Sequence, residues 1–373
     1  MRSNSVANEN QRGTFVLPYK QRIFNIVPNP ANTEAYRNLK GSRRKTQIAG
    51  TAAEKSPKDR TILHGHSHSN MHPFIDALLQ QQRAATPVLN VIIIGGSSGI
   101  GVSIVKRFAE AGHRVLSTYY SNMTGALDVH KAYPHAEYVF LDQGDLESIE
   151  TFAHGGMQKV DVLVNNAALG SATVINYVND KLQKSGGDIK TISTLRRKAL
   201  EDEALMKVNS LGPLWITDVI TPLLRGPATS ETTPTQPVRN YSTIIYMGSV
   251  GGSTGVFPEY RASDLMSKAA VTYLSKHIAA EQVRSHVDVF CLAPGATMTE
   301  MFRKSTLETC SDPKLFTSMM PKQRLIETKE LADATFVLST EPWARIFHGA
   351  VLDASLGLGI RPGLQTENTM GRT

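Results

Sequence analysis

The stretch Val91-Ile-Ile-Ile-Gly-Gly-Ser-Ser-Gly-Ile-Gly101 constrains the fold of this chain more than any other. Four branched apolar residues run directly into a glycine-rich turn. Ile100, Ile104, Val105 and Phe108 then recur at helical spacing. This is the pattern of a buried parallel strand, a tight turn and a helix N-terminus. Gly95, Gly99 and Gly101 would let backbone approach a diphosphate, which would sit on free N–H groups at the positive end of the helix dipole. A strand–helix turn without a ligand has the same local pattern, so the downstream sequence must decide.

Strand and helix patterns alternate from that point on. Strands are expected at 114–120, 137–142, 160–165, 242–247, 287–292 and 348–353, with helical segments between them. That alternation predicts an α/β fold, a doubly wound parallel sheet of about seven strands with helices on both faces. Two polar stretches, 176–200 and 226–240, interrupt the plan and are expected as surface loops or short irregular helices.

The chain has 373 residues and a net charge of +7, but the charge is uneven. Residues 1–88 carry 13 Lys/Arg against 5 Asp/Glu, and the remainder carries 27 against 28. The basic balance therefore belongs to the leading segment, and nothing in the rest calls for nucleic acid. No run of 18 apolar residues predicts a membrane helix, and no secretory signal is expected. Cys291 and Cys310 are the only cysteines, which fits a reducing, cytoplasmic setting. Cys291 lies in an apolar strand and reads as core.

Residues 1–87 read as a basic, mostly disordered extension with a short helix near 73–83, ahead of a dinucleotide-binding domain over 88–365. The run Gly41-Ser-Arg-Arg-Lys45 is part of its charge. His64, His66, His68 and His72 lack a nearby carboxylate or cysteine, so a solvated loop is expected there and no metal site.

Over about 88–360 the chain resembles the single-domain short-chain dehydrogenase/reductase family of Rossmann type. The resemblance rests on motifs in the family's order. The cofactor turn is Gly95-Gly-Ser97-Ser98-Gly99-Ile100-Gly101, with Ile94 where Thr is usual. Asn165-Asn166-Ala167-Ala168 matches the segment beside the adenosine. Asn209, Ser249 and Lys268 match three members of the catalytic group. Pro294-Gly295-Ala-Thr297-Met-Thr299 matches the loop that meets the nicotinamide. The resemblance implies an oxidoreductase moving hydride between a nicotinamide and a carbonyl or alcohol carbon. In it Ser249 would hold the carbonyl oxygen, Lys268 would bind the nicotinamide ribose, and Asn209 would hold a water for proton resupply.

The chain departs from the family at the acid. The usual Tyr stands four residues before the lysine, one helical turn or about 6 Å away. That position is Asp264 here. A free Tyr has a pKa of about 10 and a free Asp about 3.9, so an unshifted Asp is protonated about one time in a thousand at pH 7. Three accounts stay open. Tyr260 supplies the phenol across a loop, since two helical turns would put it about 12 Å from Lys268. Asp264 acts with a raised pKa or through water. Or the site is degenerate, and the protein binds dinucleotide with little turnover.

The second strand ends in Thr118-Tyr-Tyr120-Ser121-Asn122, with no acid to grip a ribose diol. Hydroxyls and an amide there favour NADP, and the lack of Lys or Arg keeps NAD possible. By resemblance Asp142 and Gln143 would meet the adenine; as a plain structural feature, Asp142 would cap the next helix. Met298, Met301, Phe302, Phe316, Met319 and Met320 are expected either to pack as core or to form a lid over a medium-sized apolar substrate. A homodimer or homotetramer through helices near 205–224 and 264–284 is expected by resemblance, with no membrane or nucleic-acid partner.

Overall fold

The computed structural model describes residues 87–155, 159–224 and 240–360. Residues 1–86 of the expected extension over 1–87, its helix near 73–83, the histidines at 64–72 and the stretch 226–239 lie outside the described residues. So does the end of the expected domain beyond 360.

The strands are β1 (Asn90–Ile94), β2 (Arg114–Tyr119), β3 (Ala136–Phe140), β4 (Val162–Asn165), β5 (Ser242–Met247), β6 (Val287–Pro294) and β7 (Val351–Ala354). They form one parallel sheet in the order β3-β2-β1-β4-β5-β6-β7. The longer helices are α1 (Gly99–Glu110), α2 (Met123–Ala132), α3 (Leu146–Ala153), α4 (Val174–Lys184), α5 (Thr194–Met206), α6 (Gly212–Ile220), α7 (Ala262–Gln282), α8 (Pro313–Met319) and α9 (Thr328–Thr340).

The continuous apolar run of β1 is explained by burial on both faces. Val91 and Ile93 pack with Ile104, Phe108 and Leu338 on one side. Ile92 and Ile94 pack with Ile216 and Ile278 on the other. Alternate side chains of one strand thus enter two layers, and each fully buried one stabilises by about 1.5–3 kcal/mol. The strand order reverses between β1 and β4, so a crevice opens at the carboxyl ends of these central strands.

One expectation is corrected here. The polar stretch from 176 does not fold as a loop or an irregular helix: Val174–Lys184 is a regular helix of 11 residues. Val174 and Val178, one turn apart, are buried against Ala204 and Leu205 of α5. Tyr177 and Leu182, partly buried, pack on the same cluster and complete the docking face of a helix that is otherwise mostly polar. No helix among the described residues is long and apolar enough to cross a membrane.

Candidate active site

The glycine turn is held by its neighbours on both sides. Gly95 N–H donates to Thr118 Oγ1 at 2.9 Å, and Tyr138 Oη donates to the Gly96 carbonyl at 2.9 Å. Asn166 Nδ2 donates to the Gly95 carbonyl at 2.9 Å. Gly95 has φ +81° and Gly99 φ +54°, the region that favours glycine. At Gly101 a Cβ would stand 2.1 Å from the Gly95 carbonyl oxygen. Ser98 stands at the N-cap of α1, yet no side chain caps the first turn. The N–H groups there are left for an anion, and the turn fits a diphosphate. Thr299, beyond β6, faces this turn: a Cβ on Gly99 would lie 3.5 Å from its methyl. Thr299 also caps the short helix Glu300–Phe302, and Thr297 Oγ1 donates to the Gly295 carbonyl at 3.0 Å.

Several residues expected at the cofactor have structural duties. Ala167 packs on Gly95, its Cβ 2.5 Å from where a Gly95 Cβ would stand. Gln143 Nε2 donates to the carbonyls of Ala167 and Val208, each at 2.8 Å. Asp142 is buried and does not cap α3, whose N-cap is Asp145. Its Oδ1 accepts from Gly144 N–H at 2.9 Å and Tyr177 Oη at 3.0 Å, and its Oδ2 pairs with Lys181 at 2.5 Å. Ser97 is buried, Ser98 and Ser121 are exposed, and Ile100, Tyr120 and Ala168 are half-buried along the crevice. Pro294 closes β6 in the core.

The residues expected to form the catalytic group come from separate elements. Asn209 sits in a π-helical turn, Lys207–Leu211, between α5 and α6. Such turns recur at functional sites. Its Oδ1 accepts from Leu169 N–H at 2.7 Å, and its Nδ2 donates to the Leu169 carbonyl at 2.8 Å and to Ser267 Oγ at 3.0 Å. Both amide protons are committed, so this side chain braces the loop after β4 against α7. Ser249 follows β5 and is half-buried; its Oγ accepts from Gly251 N–H at 3.2 Å. Packing is tight there: a Cβ on Gly252 would lie 2.4 Å from the Lys268 carbonyl carbon.

Lys268 is half-buried on α7, and its ammonium makes no hydrogen bond or ion pair among the described residues. Burial lowers its pKa from the ordinary value, opposed in part by the Asp264 carboxylate and the Cys291 thiol. A cation in that state is poised for a ligand.

The two acid candidates point elsewhere. Arg261 is extended at the N-cap of α7 and pairs with Glu201 at 2.5 Å, so the helix begins at Ala262 and leaves Tyr260 in the preceding turn. The break that Tyr260 required is therefore present. Its Oη lies 3.2 Å from Thr306 Oγ1, and burial pushes the phenol pKa up. Asp264 Oδ2 accepts from Ser171 N–H at 2.7 Å and Ser171 Oγ at 2.8 Å. Neither acid bonds to Ser249 or Lys268. The apolar segment beyond β6 is mixed: Met320 is buried, Met298 and Met301 are exposed, and the Phe302 and Phe316 rings lie 6.3 Å apart. Among the described residues no group of three His, Cys, Asp or Glu is placed to hold a metal.

Ser171, Tyr177, Asp180, Lys181 and Lys184 were not singled out from sequence. The usable signal was Tyr177–Lys181 and Asp180–Lys184 at i, i+4 beside the apolar pair Val174–Val178.

The family model described as short chain dehydrogenase matches residues 89–309, more than half of the chain. Galactitol 2-dehydrogenase (L-tagatose-forming) of Cereibacter sphaeroides is 27% identical over 268 residues, covering 70% of this chain and 91% of the relative. The 3-oxoacyl-[acyl-carrier-protein] reductase MabA of Mycobacterium tuberculosis is 24% identical, covering 73% and 93%. Among solved structures, a Pseudomonas aeruginosa RhlG/NADP active-site complex superposes with a TM-score of 0.58 at 21% identity, covering 78% of this chain and all of that one. With its glycine turn, its reversal of strand order and its Asn–Ser–Lys constellation, the chain belongs to the short-chain dehydrogenase family.

Proposed function

We propose that this protein is an NADP-dependent oxidoreductase acting on the carbonyl or alcohol carbon of a small molecule. The observation that carries the reading is Lys268: a partly desolvated ammonium with no hydrogen bond or ion pair among the described residues, on a helix that packs tightly against Gly252, three residues beyond Ser249. When bound, the nicotinamide supplies or takes the hydride. Ser249 donates to the reacting oxygen and stabilises the charge that develops there. Lys268 orients the nicotinamide ribose and keeps a positive field beside the acid. Tyr260 is the proton donor in this reading. Its phenol is held protonated by burial, while the Asp264 carboxylate already accepts two hydrogen bonds. The segment carrying Thr306 must shift to release the phenol toward Ser249. Solved structures of this fold in complex with NADP or NADPH support the choice of cofactor.

Oxidation of NADPH with a panel of ketones and aldehydes tests the reading. Tyr260→Phe should lower turnover by roughly 100- to 10,000-fold, the usual weight of acid catalysis. Asp264→Asn should lower it by less than about tenfold, since an amide oxygen still accepts from Ser171. The reverse ranking would move the acid to Asp264. A second reading is favoured by the partners of the two acids, which bond to Ser171 and Thr306 and not to Ser249: a dinucleotide-binding protein without turnover. It predicts NADPH binding and no oxidation with any carbonyl.

The partly exposed apolar pair Met266 and Tyr273, seven residues apart on α7, supports self-association as a homodimer or homotetramer. Light scattering of the purified chain measures it. A cytoplasmic location remains part of this proposal.

A further inference from the structure

Helix α4 lies outside the seven-strand plan, and its contacts run to an unexpected place. It follows β4, yet its side chains reach Tyr120 beyond β2 and Asp142 beyond β3, the strands on the far side of β1. That half of the crevice is where the adenosine end of a dinucleotide lies in such sheets. Tyr120 follows the glycine turn by about 20 residues, the position of the side chain that reads the ribose 2′ substituent.

Around Tyr120 an anion is already held. Tyr120 Oη donates to Asp180, and Lys184 Nζ donates to the same carboxylate at 2.8 Å. The Lys184 ammonium lies 5.4 Å from the Tyr120 ring centroid. These bonds keep the Asp180 carboxyl below the usual range. A phenol O–H and an ammonium converging on one anion are also the donors that a phosphate monoester requires. The glycine turn and residues 118–122 contain no Lys or Arg, so α4 brings the nearby cations.

The two lysines of α4 differ. Lys181 neutralises Asp142, which is buried, and removing it would strand a buried charge. Lys184 is exposed and Asp180 half-buried, and a pair with one end in solvent contributes little and exchanges readily. A phosphate monoester near full double charge at pH 7 competes well against one carboxylate.

We propose that Tyr120 and Lys184 form the site for the 2′-phosphate of NADP, and that Asp180 is an internal anion which fills this site until the phosphate displaces it. This rests on the NADP reading above and adds an inserted helix as its determinant.

Calorimetry on the full chain with adenosine 2′,5′-bisphosphate and with ADP tests it without turnover. The wild type should prefer the bisphosphate. Lys184→Met should weaken the bisphosphate roughly tenfold, the loss of one charge-assisted contact, and leave ADP unchanged. Asp180→Asn should tighten the bisphosphate several-fold. If the wild type prefers the bisphosphate but Lys184→Met keeps the full preference, the proposal fails while the NADP reading stands. If Asp180→Asn instead weakens ADP, Asp180 is a ribose-diol ligand and the proposal is overturned. If the wild type prefers ADP, or binds neither, the NADP reading falls and the proposal with it.

Discussion

The two ends of the crevice are built on different principles. At the end proposed for the diphosphate the surface is backbone: a turn shaped by Gly95, Gly99 and Gly101 and braced by Thr118, Tyr138 and Asn166. At the end proposed for catalysis it is side chains from distant elements, most of them committed to another group. Asn209 is tied to Leu169 and Ser267, Asp264 to Ser171, and Tyr260 to Thr306. The first end is a shape that one stretch of chain encodes. The second is a set of partnerships, and partnerships can be exchanged. Binding therefore tolerates little change at the turn, and chemistry depends on which hydrogen bonds open at the other end.

The comparison breaks most sharply at Lys268. Lys268→Met should lower turnover roughly 100- to 1,000-fold by removing a preorganised charge, while the Kd for NADPH rises less than about tenfold. Stability should move the opposite way. Burial lowers this pKa, so between the lowered value and the ordinary one near 10.4 the unfolded chain binds more protons than the folded protein. Stability of the wild type should then rise with pH through that window, and the penalty of the charged lysine should be complete below it. Lys268→Met should raise the Tm at neutral pH, with the gain fading as pH approaches about 10. A Tm that falls at neutral pH would mean the ammonium has a stabilising partner.

At the other end both properties should fall together. In Gly101→Val the new side chain overlaps the Gly95 carbonyl, where even a Cβ would stand at 2.1 Å. Overpacking of this kind costs about 1–3 kcal/mol, and the displaced N–H groups should lower NADPH affinity by roughly 100-fold. Cofactor fluorescence reads the binding and thermal unfolding reads the stability; intact affinity would show that the diphosphate sits elsewhere. The smallest effect is expected at the anchor of α4. Val178→Ala should cost about 1 kcal/mol of global stability, with a larger loss of amide protection confined to residues 174–184. Uniform protection would mean that α4 is held by its polar contacts alone.

Much of the fold was legible because its signals are local and redundant. The strand expected at 242–247 is β5, and β1 ends at the glycine where its apolar run ends. The helix at 174–184 was harder to read. Only two of its residues, Val174 and Val178, are fully buried, and its Asn, Asp, Lys and Gln side chains dilute the apolar period. The site divided in the same way. Asn209, Ser249 and Lys268 stood out by motif, whereas the partners of Asp264 and Tyr260 lie 93 and 46 residues away along the chain.

By itself the sequence determined a parallel sheet with a glycine turn after its first strand, because strand burial, glycine stereochemistry and helix periodicity are properties of contiguous residues. Only the tertiary structure decided that Ser171 takes Asp264, that Thr306 takes Tyr260, and that α4 delivers Lys184 to Tyr120. Those pairings depend on the distances at which separate segments meet, and no spacing along a single stretch encodes such a distance.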